Sequence, residues 1–332
     1  MGAREGIALV DRDEAGIDRA FRADVLAGLR QAQKAVPARW FYDDAGSRLF
    51  EDITALEEYY PTRAETEILE TRGGEFAKAI GPGRAVVEFG SGSSVKTPLL
   101  LSAIAPAAYV PLDIAGDFLR DAAAGVARRF PGLPVYPVEA DFMREVALPE
   151  SVSAVPKLGF FPGSTIGNMV PRTAVDLLRS MRLTLQADRG VQPLLLIGMD
   201  LVKDPAVLIA AYDDAGGVTA AFDLNLVHRV NRELAGTIPV DALRHVARWN
   251  DDFARVEMHL EATRDIGFEV SGERFAMRAG ETIHTENSHK FTRRSGNLLL
   301  AAAGWTPRRR WLDRAKQFSL TLAEATAPRN AP

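Results

Sequence analysis

The chain has 332 residues, of which 47% are hydrophobic and 25% charged, and its formal net charge is −4 at pH 7. This composition is typical of a globular protein with one large domain or two, and it argues against a nucleic-acid or anionic-membrane partner. Cysteine is absent, which excludes disulfides, thiol nucleophiles and thiolate metal ligands. No apolar run could span a membrane and residues 1–13 lack the apolar core of a secretory signal, so we expect a cytoplasmic protein.

The first part of the chain combines an amphipathic helix with two aromatic clusters. Apolar residues recur at helical spacing from Ile17 to Leu29. The clusters Trp40-Phe41-Tyr42-Asp43 and Glu58-Tyr59-Tyr60-Pro61-Thr62-Arg63 follow. Most such aromatic side chains are packing residues, but tyrosines beside prolines and charges also suit the cover of a pocket.

A glycine-rich turn dominates the next segment. A β-branched run enters Glu88-Phe89-Gly90-Ser91-Gly92 and is followed by an amphipathic stretch, which predicts a buried strand, a tight turn and a helix. Glycines let the backbone approach a ligand, and a helix N-terminus suits a polar or anionic group. The dinucleotide fingerprint is incomplete because Val95 occupies the position of its third glycine. Such an acid-x-Gly-x-Gly turn is instead typical of S-adenosylmethionine-dependent methyltransferases; an ordinary strand–turn–helix joint is the alternative.

Strands and helices alternate after this turn. We predict strands over 108–113, 135–141, 158–161 and 194–199, with helices over 118–130 and 174–185. This alternation favours parallel pairing, and parallel sheets bind ligands at the carboxyl ends of their strands. The polar residues expected at that edge are Glu88, Asp113, Asp141, Asn168 and Asp200.

The pattern changes after Asp200. A long amphipathic helix over 218–234 and an alternating strand over 256–260 are predicted, followed by a glycine-rich and charged stretch. We then predict a helix over 298–303, a turn near Asp313 and a closing antiparallel strand over 318–322, with Arg308–Arg310 interpreted as a solvated turn. The resulting domains are 66–200 with 287–332, and 1–65 with 201–286.

Several stretches, in order from about residue 18 to 322, resemble the ergothioneine-pathway L-histidine Nα-methyltransferases. Besides the clusters and the glycine turn quoted above, they are Gly163-Ser164-Thr165-Ile166-Gly167-Asn168, Asp200-Leu201-Val202-Lys203-Asp204, Ala211-Tyr212-Asp213-Asp214 and Thr285-Glu286-Asn287-Ser288-His289-Lys290-Phe291. The resemblance implies an α/β fold: a Rossmann-like class I methyltransferase sheet that binds S-adenosyl-L-methionine, with a second, smaller α+β substrate domain.

The resemblance also implies roles for matching positions. The cofactor contacts would be Gly90, Lys96, Asp113, Asp141 and Phe142. An aspartate at a strand end can accept hydrogen bonds from both ribose hydroxyls, and a second one can accept from the adenine amine.

The same resemblance assigns an amino-acid site. Its residues would be Tyr42, Tyr59, Asn168, Tyr212, Met258, Glu286 and Ser288, with Tyr42 and Asn168 as the catalytic pair. Glu286 and Ser288 would hold the imidazole ring, and Met258 would form the pocket wall. No strong general base is evident, so we expect the site to select the neutral amine.

The implied function is Nα-trimethylation of L-histidine by a cytoplasmic monomer. Methylation of another amino acid, such as a tryptophan derivative, is the first alternative, although Glu286 with Ser288 argues against an indole. An NAD-dependent oxidoreductase and a catalytically silent cofactor-binding module are the others. We expect no metal, because His284 and His289 match no zinc spacing and no third ligand is evident nearby.

Overall fold

The computed structural model describes residues 16–92, 96–114, 116–186 and 191–326. The helices in these ranges are α1 (Arg19–Leu29), α2 (Asp44–Ala55), α3 (Tyr60–Thr71), α4 (Gly73–Ile80), α5 (Thr97–Ile104), α6 (Gly116–Arg129), α7 (Pro171–Thr184), α8 (Pro205–Ala210), α9 (Val218–Glu233) and α10 (Arg293–Ala302). The strands are β1 (Lys34–Ala35), β2 (Ala85–Phe89), β3 (Ala108–Asp113), β4 (Val138–Glu139), β5 (Lys157–Phe161), β6 (Leu194–Asp200), β7 (Leu243–Asn250), β8 (Arg255–Ala262), β9 (Ile266–Val270), β10 (Glu273–Met277), β11 (Thr282–His289), β12 (Trp305–Leu312) and β13 (Phe318–Ala325).

The chain divides into two compact units. The parallel-sheet unit consists of Pro61–Val202 and Lys290–Pro332, and the mixed-sheet unit consists of Met1–Tyr60 and Lys203–His289. Each unit is therefore built from two separate stretches of the chain. The assignment of a cofactor role to one unit and a substrate role to the other stays a prediction.

The parallel-sheet unit contains a seven-stranded sheet in the order β12-β13-β6-β5-β2-β3-β4. The strands from β6 to β4 pair in parallel, whereas β13 runs antiparallel to β6, and β12 antiparallel to β13. This arrangement confirms the Rossmann-like class I methyltransferase sheet, including the antiparallel closing strand.

Apolar side chains cover both faces of this sheet. Successive residues of β2 belong to different clusters, since Val86 packs on one face and Val87 on the other, and both are fully buried. Side chains alternate across a strand, so a sheet covered by helices on both sides needs continuous apolar runs. This requirement explains why β2, β3, β5 and β6 could be located from the sequence.

Two predicted elements differ from the structure. The strand predicted over 135–141 is reduced to β4 and a single bridge between Tyr109 and Val135, because Pro137 cannot donate a ladder hydrogen bond. The basic run Arg308–Arg310 lies in the edge strand β12 rather than in a solvated turn. Charged side chains are common on edge strands because they oppose further strand pairing.

The mixed-sheet unit is an α+β structure. Its sheet has the order β1-β11-β8-β7, and β9 and β10 form a separate hairpin. Helix α9 buries Phe222, Leu226 and Val230 in the same core as Val256 and Leu260 of β8. The apolar face of β8 is thus explained by the helix that covers it, and His259 is buried on the opposite face.

Among the described residues, no helix is both long enough and apolar enough to cross a bilayer.

Candidate functional site

The glycine turn after β2 has the geometry of a close-approach loop. Gly90 and Gly92 have φ angles of +71° and +47°, in the left-handed region that favours glycine. The amides of Gly90 and Ser91 both donate to the carbonyl of Leu112 on β3, at 2.9 and 3.1 Å. The turn is therefore fastened to the neighbouring strand. Residues 93–95, including the Val95 that interrupts the dinucleotide fingerprint, lie outside the described residues.

The structure brings Asp113, Phe142 and the glycine turn together. The Gly92 amide donates to Oδ2 of Asp113 at 3.0 Å. A Cβ added to Gly90 would lie 3.4 Å from Cζ of Phe142, so the ring packs against the glycine backbone. Asp141 is exposed, and its Oδ1 accepts the Met143 amide at 2.9 Å. The predicted cofactor residues of this group thus line the carboxyl ends of neighbouring strands.

Lys96 is held by a buried carboxylate that the sequence did not reveal. Its Nζ pairs with Oε2 of Glu65, whose side chain is fully buried. The two carboxylate oxygens of Glu65 also accept the Gly163 amide at 3.1 and 2.9 Å. Glu65 thereby ties the turn after β2 to the loop after β5. The position of Glu65 in the sequence does not predict this contact, because α3 approaches these loops only in the folded chain.

Glu88 is a buried acid on β2, two residues before Gly90. Its carboxylate accepts hydrogen bonds from Thr97 Oγ1 at 2.8 and 2.7 Å and from Tyr109 OH at 2.5 Å. Burial raises the pKa of Glu88 to about 7, although the hydrogen bonds from Tyr109 and Thr97 and the charge of Lys96 oppose that rise. The side chain fixes the start of α5 beneath the turn.

Asn168 belongs to a loop of the parallel-sheet unit that is held by a 3-10 turn and by a side-chain hydrogen bond. It ends the 3-10 turn Thr165–Asn168 and is half-buried. Ser164, which precedes this turn, has a φ of +58°, and its Oγ accepts the Asp200 amide at 2.9 Å. A non-glycine residue in the left-handed region is strained, and such strain is common at functional loops.

These residues fit an adenosyl group. The glycines leave the backbone of the turn open, Asp113 supplies a carboxylate at a strand end, and Phe142 supplies a half-buried aromatic ring beside Gly90. A ribose diol can donate hydrogen bonds to such a carboxylate, and an adenine ring can pack on such an aromatic ring.

In the mixed-sheet unit, Asp43 anchors the backbone that carries Tyr42. Its Oδ1 accepts from the Gly46 amide and from Asn225 Nδ2, both at 2.8 Å, and its Oδ2 accepts from Arg232 at 2.7 Å. Burial by itself raises the pKa of Asp43, but these hydrogen bonds lower it overall. The ionised carboxylate caps α2 and ties it to α9.

Aromatic contacts link the three predicted substrate tyrosines. Tyr42, 41% exposed, meets Phe50 and Phe222 edge-on, with ring centroids 5.8 and 5.9 Å apart. Phe50 in turn meets Tyr59 at 6.5 Å, and Tyr59 meets Tyr212 at 5.9 Å. These edge-on contacts are favourable arrangements of aromatic rings.

The polar end of this group lies on β11. The Tyr212 hydroxyl and Ser288 Oγ form a hydrogen bond of 2.8 Å. Glu286 lies two residues before Ser288 and faces Met258 of β8 in the strand register, beyond a bulge between residues 284 and 286. All three of these strand residues are buried. The structure therefore brings together every predicted substrate residue except Asn168, which belongs to the parallel-sheet unit.

From the sequence no third ligand was evident near His284 and His289, but the structure places Glu257 and His259 beside His284. Glu257, His259 and His284 each offer a ligand atom, all within 4.8 Å of one another, and the His259 and His284 rings are stacked at 4.7 Å. Burial lowers the pKa of both histidines. However, Arg255 already binds Glu257 at 2.6 Å, and stacked rings direct their lone pairs into separate planes. The cluster is thus explained by its own hydrogen bonds, and no metal is assigned to it.

Comparisons with known proteins identify what this chain is similar to. The profile of the family described as "Histidine-specific methyltransferase, SAM-dependent" matches residues 21–325. A histidine N-alpha-methyltransferase of Mycolicibacterium smegmatis is 42% identical, with 92% of this chain and 94% of that protein covered. The protein of the same name from Mycobacterium tuberculosis gives the same identity and coverage. Ergothioneine biosynthesis protein 1 of Neurospora crassa is 30% identical over 83% of this chain, which spans 31% of that protein.

Proposed function

This chain belongs to the family of histidine-specific, S-adenosylmethionine-dependent methyltransferases, and from that premise we propose that it trimethylates the α-amino nitrogen of L-histidine. The product would be histidine trimethylbetaine (hercynine), formed in ergothioneine biosynthesis. The family match over residues 21–325 is the observation that carries this proposal. The polar residues of β11 supply a physical reason for histidine as the substrate.

The cofactor contacts we propose are Gly90, Lys96, Asp113, Asp141 and Phe142. S-adenosyl-L-methionine supplies an activated methyl group on a sulfonium when it is bound. The carboxylate of Asp113 beside the open glycine turn supports a role in holding the ribose hydroxyls. The contact between Phe142 and Gly90 supports a role for that ring against the adenine.

The substrate contacts we propose are the residues linked in the mixed-sheet unit: Tyr42, Tyr59, Tyr212, Met258, Glu286 and Ser288. A buried carboxylate and a buried hydroxyl on one strand can bind the two ring nitrogens of an imidazole. A side chain without those nitrogens would leave Glu286 buried and poorly solvated, which is costly. Charge and hydrogen bonding therefore favour histidine over an aromatic amino acid of similar size.

The reacting amine must be neutral, because only an unprotonated nitrogen has a lone pair for the displacement. Ordinary α-amino groups titrate near about 8, so a minority is neutral at neutral pH. We propose that Asn168 and Tyr59 bind the carboxylate and amine of the substrate, and that water takes up the released proton. Tyr42, with its partly exposed ring, would accommodate the successive methyl groups. Correct alignment of the reacting atoms supplies most of the rate enhancement in such a transfer.

We further propose that the parallel-sheet unit binds the cofactor, that the mixed-sheet unit binds the amino acid, and that the protein works as a cytoplasmic monomer. The net charge of −4, with acidic and basic residues mixed along the chain, supports a small-molecule partner rather than nucleic acid or an anionic membrane. Light scattering of the purified protein tests the monomer, and a mass corresponding to two chains would contradict it.

Substrate choice gives a direct test, because the alternative substrate is a tryptophan derivative. Replacement of Glu286 by alanine (Glu286→Ala) should lower kcat/KM for histidine by roughly 10–100-fold, the effect of one lost charged hydrogen bond. The same variant should gain relative activity towards tryptophan, because the space beside Met258 becomes less polar. A competition assay with both amino acids measures the preference.

The matched control is Glu281→Ala, which removes an exposed glutamate close to the start of the same strand. This variant should keep the wild-type preference. Affinity for S-adenosylhomocysteine should stay constant in both variants. If Glu286→Ala leaves the preference unchanged, or weakens cofactor binding in parallel, Glu286 is structural and the substrate assignment is wrong.

A further inference from the structure

A buried histidine–aspartate pair lies behind Tyr212 in the mixed-sheet unit. His245 on β7 and Asp223 on α9 have side chains that are 1% and 0% exposed. Nδ1 of His245 lies 2.7 Å from Oδ2 of Asp223, and Nε2 lies 2.7 Å from the carbonyl oxygen of Tyr212. Both ring nitrogens thus face acceptors, and only an imidazolium donates from both nitrogens at once.

The surrounding charges support the protonated form. Burial by itself lowers the pKa of His245, but the hydrogen bond and charge of Asp223, the Tyr212 carbonyl and the charge of Asp213 together raise it. The strand neighbour on β8 is Leu260, and helix α8, which packs against β7, contains no charged residue. Oδ1 of Asp223 is buried without a hydrogen-bond partner among the described residues. A buried anion in this condition depends on the cation beside it.

The pair acts on the residue that carries the substrate-site hydroxyl. Tyr212 lies two residues after the end of α8, and its hydroxyl binds Ser288 at 2.8 Å while its ring contacts Tyr59. Asp214 then caps α9 through the Val218 amide, so the short segment between the two helices is fixed at both ends. A change at the Tyr212 carbonyl would therefore move the phenol relative to Ser288.

We propose that His245, held as an imidazolium by Asp223, is a positioning residue that sets Tyr212 for recognition of the amino-acid substrate. This role rests on the proposed function, in which Tyr212 and Ser288 contact histidine. His245 does not touch the substrate or the cofactor in this role. It acts by fixing the backbone from which the Tyr212 ring extends.

Two variants test the role, and an exposed histidine of α9 supplies the control. Asp223→Asn removes the counter-charge with little change of shape. His245→Gln leaves one donor nitrogen where the imidazolium has two, and it puts an acceptor oxygen beside the remaining acceptor. Both should raise KM for histidine by roughly tenfold or more, with a smaller change in kcat, because a charged hydrogen bond is lost. S-adenosylhomocysteine affinity should stay within about twofold of wild type, since the cofactor contacts lie in the other unit. His228→Gln should leave all of these constants unchanged.

Nitrogen-15 NMR of the histidine rings gives a readout that a general loss of packing would not produce. In the wild-type protein both nitrogens of His245 should carry protons near neutral pH, and in Asp223→Asn one of them should lose its proton. A neutral His245 in the wild type would overturn the proposal, as would an unchanged KM in both variants. If the wild-type enzyme does not methylate histidine at all, the proposed function is wrong, and the positioning role that rests on it is wrong as well. An active wild type with unaffected variants overturns the role of His245 alone.

Discussion

We predict that the buried carboxyl of Glu88 contributes to the pH dependence of stability in the direction opposite to most carboxyl groups. Most carboxylates are stabilised as anions in a folded protein, so stability falls on acidification. Glu88 instead has its pKa raised from 4.5 to about 7 by burial, against the opposing hydrogen bonds of Tyr109 and Thr97. The folded state therefore holds the proton over a pH range in which the unfolded state releases it.

The sign and the size of the effect follow from this difference. Between pH 4.5 and about 7 the folded state binds more protons at Glu88 than the unfolded state does, so the contribution of Glu88 to the free energy of unfolding falls as pH rises. The contribution is fully present below the unfolded pKa and is lost as pH rises through the folded pKa. A difference of about 2.5 pH units at about 1.4 kcal/mol each gives a total loss of about 3.5 kcal/mol.

Glu88→Gln removes the titration while an amide oxygen remains to accept from Thr97 or Tyr109. Urea unfolding of the wild type and the variant at several pH values measures the difference in their free energies of unfolding. Titratable groups other than Glu88 contribute equally to both proteins, so their contributions cancel in this difference. From about pH 5 to about pH 8 this difference should move in favour of the variant by about 2–3 kcal/mol. Glu51→Gln, at an exposed position on α2, is the control and should show no such trend. A difference that is independent of pH, or one that moves the opposite way, would refute the reasoning.

Two further predictions concern the parallel-sheet unit. Asp113→Ala should weaken S-adenosylmethionine binding by roughly 1.5–3 kcal/mol through lost charged hydrogen bonds, with the fold retained; unchanged binding by calorimetry would mean that Asp113 does not hold the ribose. Lys290→Met should destabilise this unit by about 3–5 kcal/mol in chemical unfolding, because the buried partner Asp200, 2.8 Å away, keeps an uncompensated charge. The double variant Asp200→Asn/Lys290→Met should be less destabilised than the single one, and equal losses would argue against the ion pair.

The sequence predicted those parts of the fold that depend on local pattern. Strands β2, β3, β5 and β6 are continuous apolar runs, and helix α9 has a clear apolar face, so both could be located closely. The basic run Arg308–Arg310 suggests a solvated turn rather than a strand, so β12 is not predicted from the sequence. In the structure Arg308 forms an ion pair with Glu324 of the neighbouring strand β13. The apolar run over 135–141 predicts a longer strand than β4, because Pro137 in its middle cannot donate a ladder hydrogen bond.

Candidate site residues could be predicted where they belong to a sequence motif. The residues that hold them in place through hydrogen bonds or ion pairs could not. The glycine turn and Asp113 follow each other along the chain, so the expected strand ends bring them together. Glu65 supports Lys96 from a helix that is distant in sequence, and His245 reaches Tyr212 from a strand that follows it by about thirty residues. Such contacts depend on how helices pack on sheets, which a single sequence does not specify.

The most direct test of the central claim is mass spectrometry of L-histidine after incubation with the purified protein and S-adenosylmethionine. We predict a product heavier than histidine by three methylene units, with all three methyl groups on the α-nitrogen, and three molecules of S-adenosylhomocysteine released for each product. Unmodified histidine in the presence of bound cofactor, or methyl groups on the imidazole ring, would contradict the account.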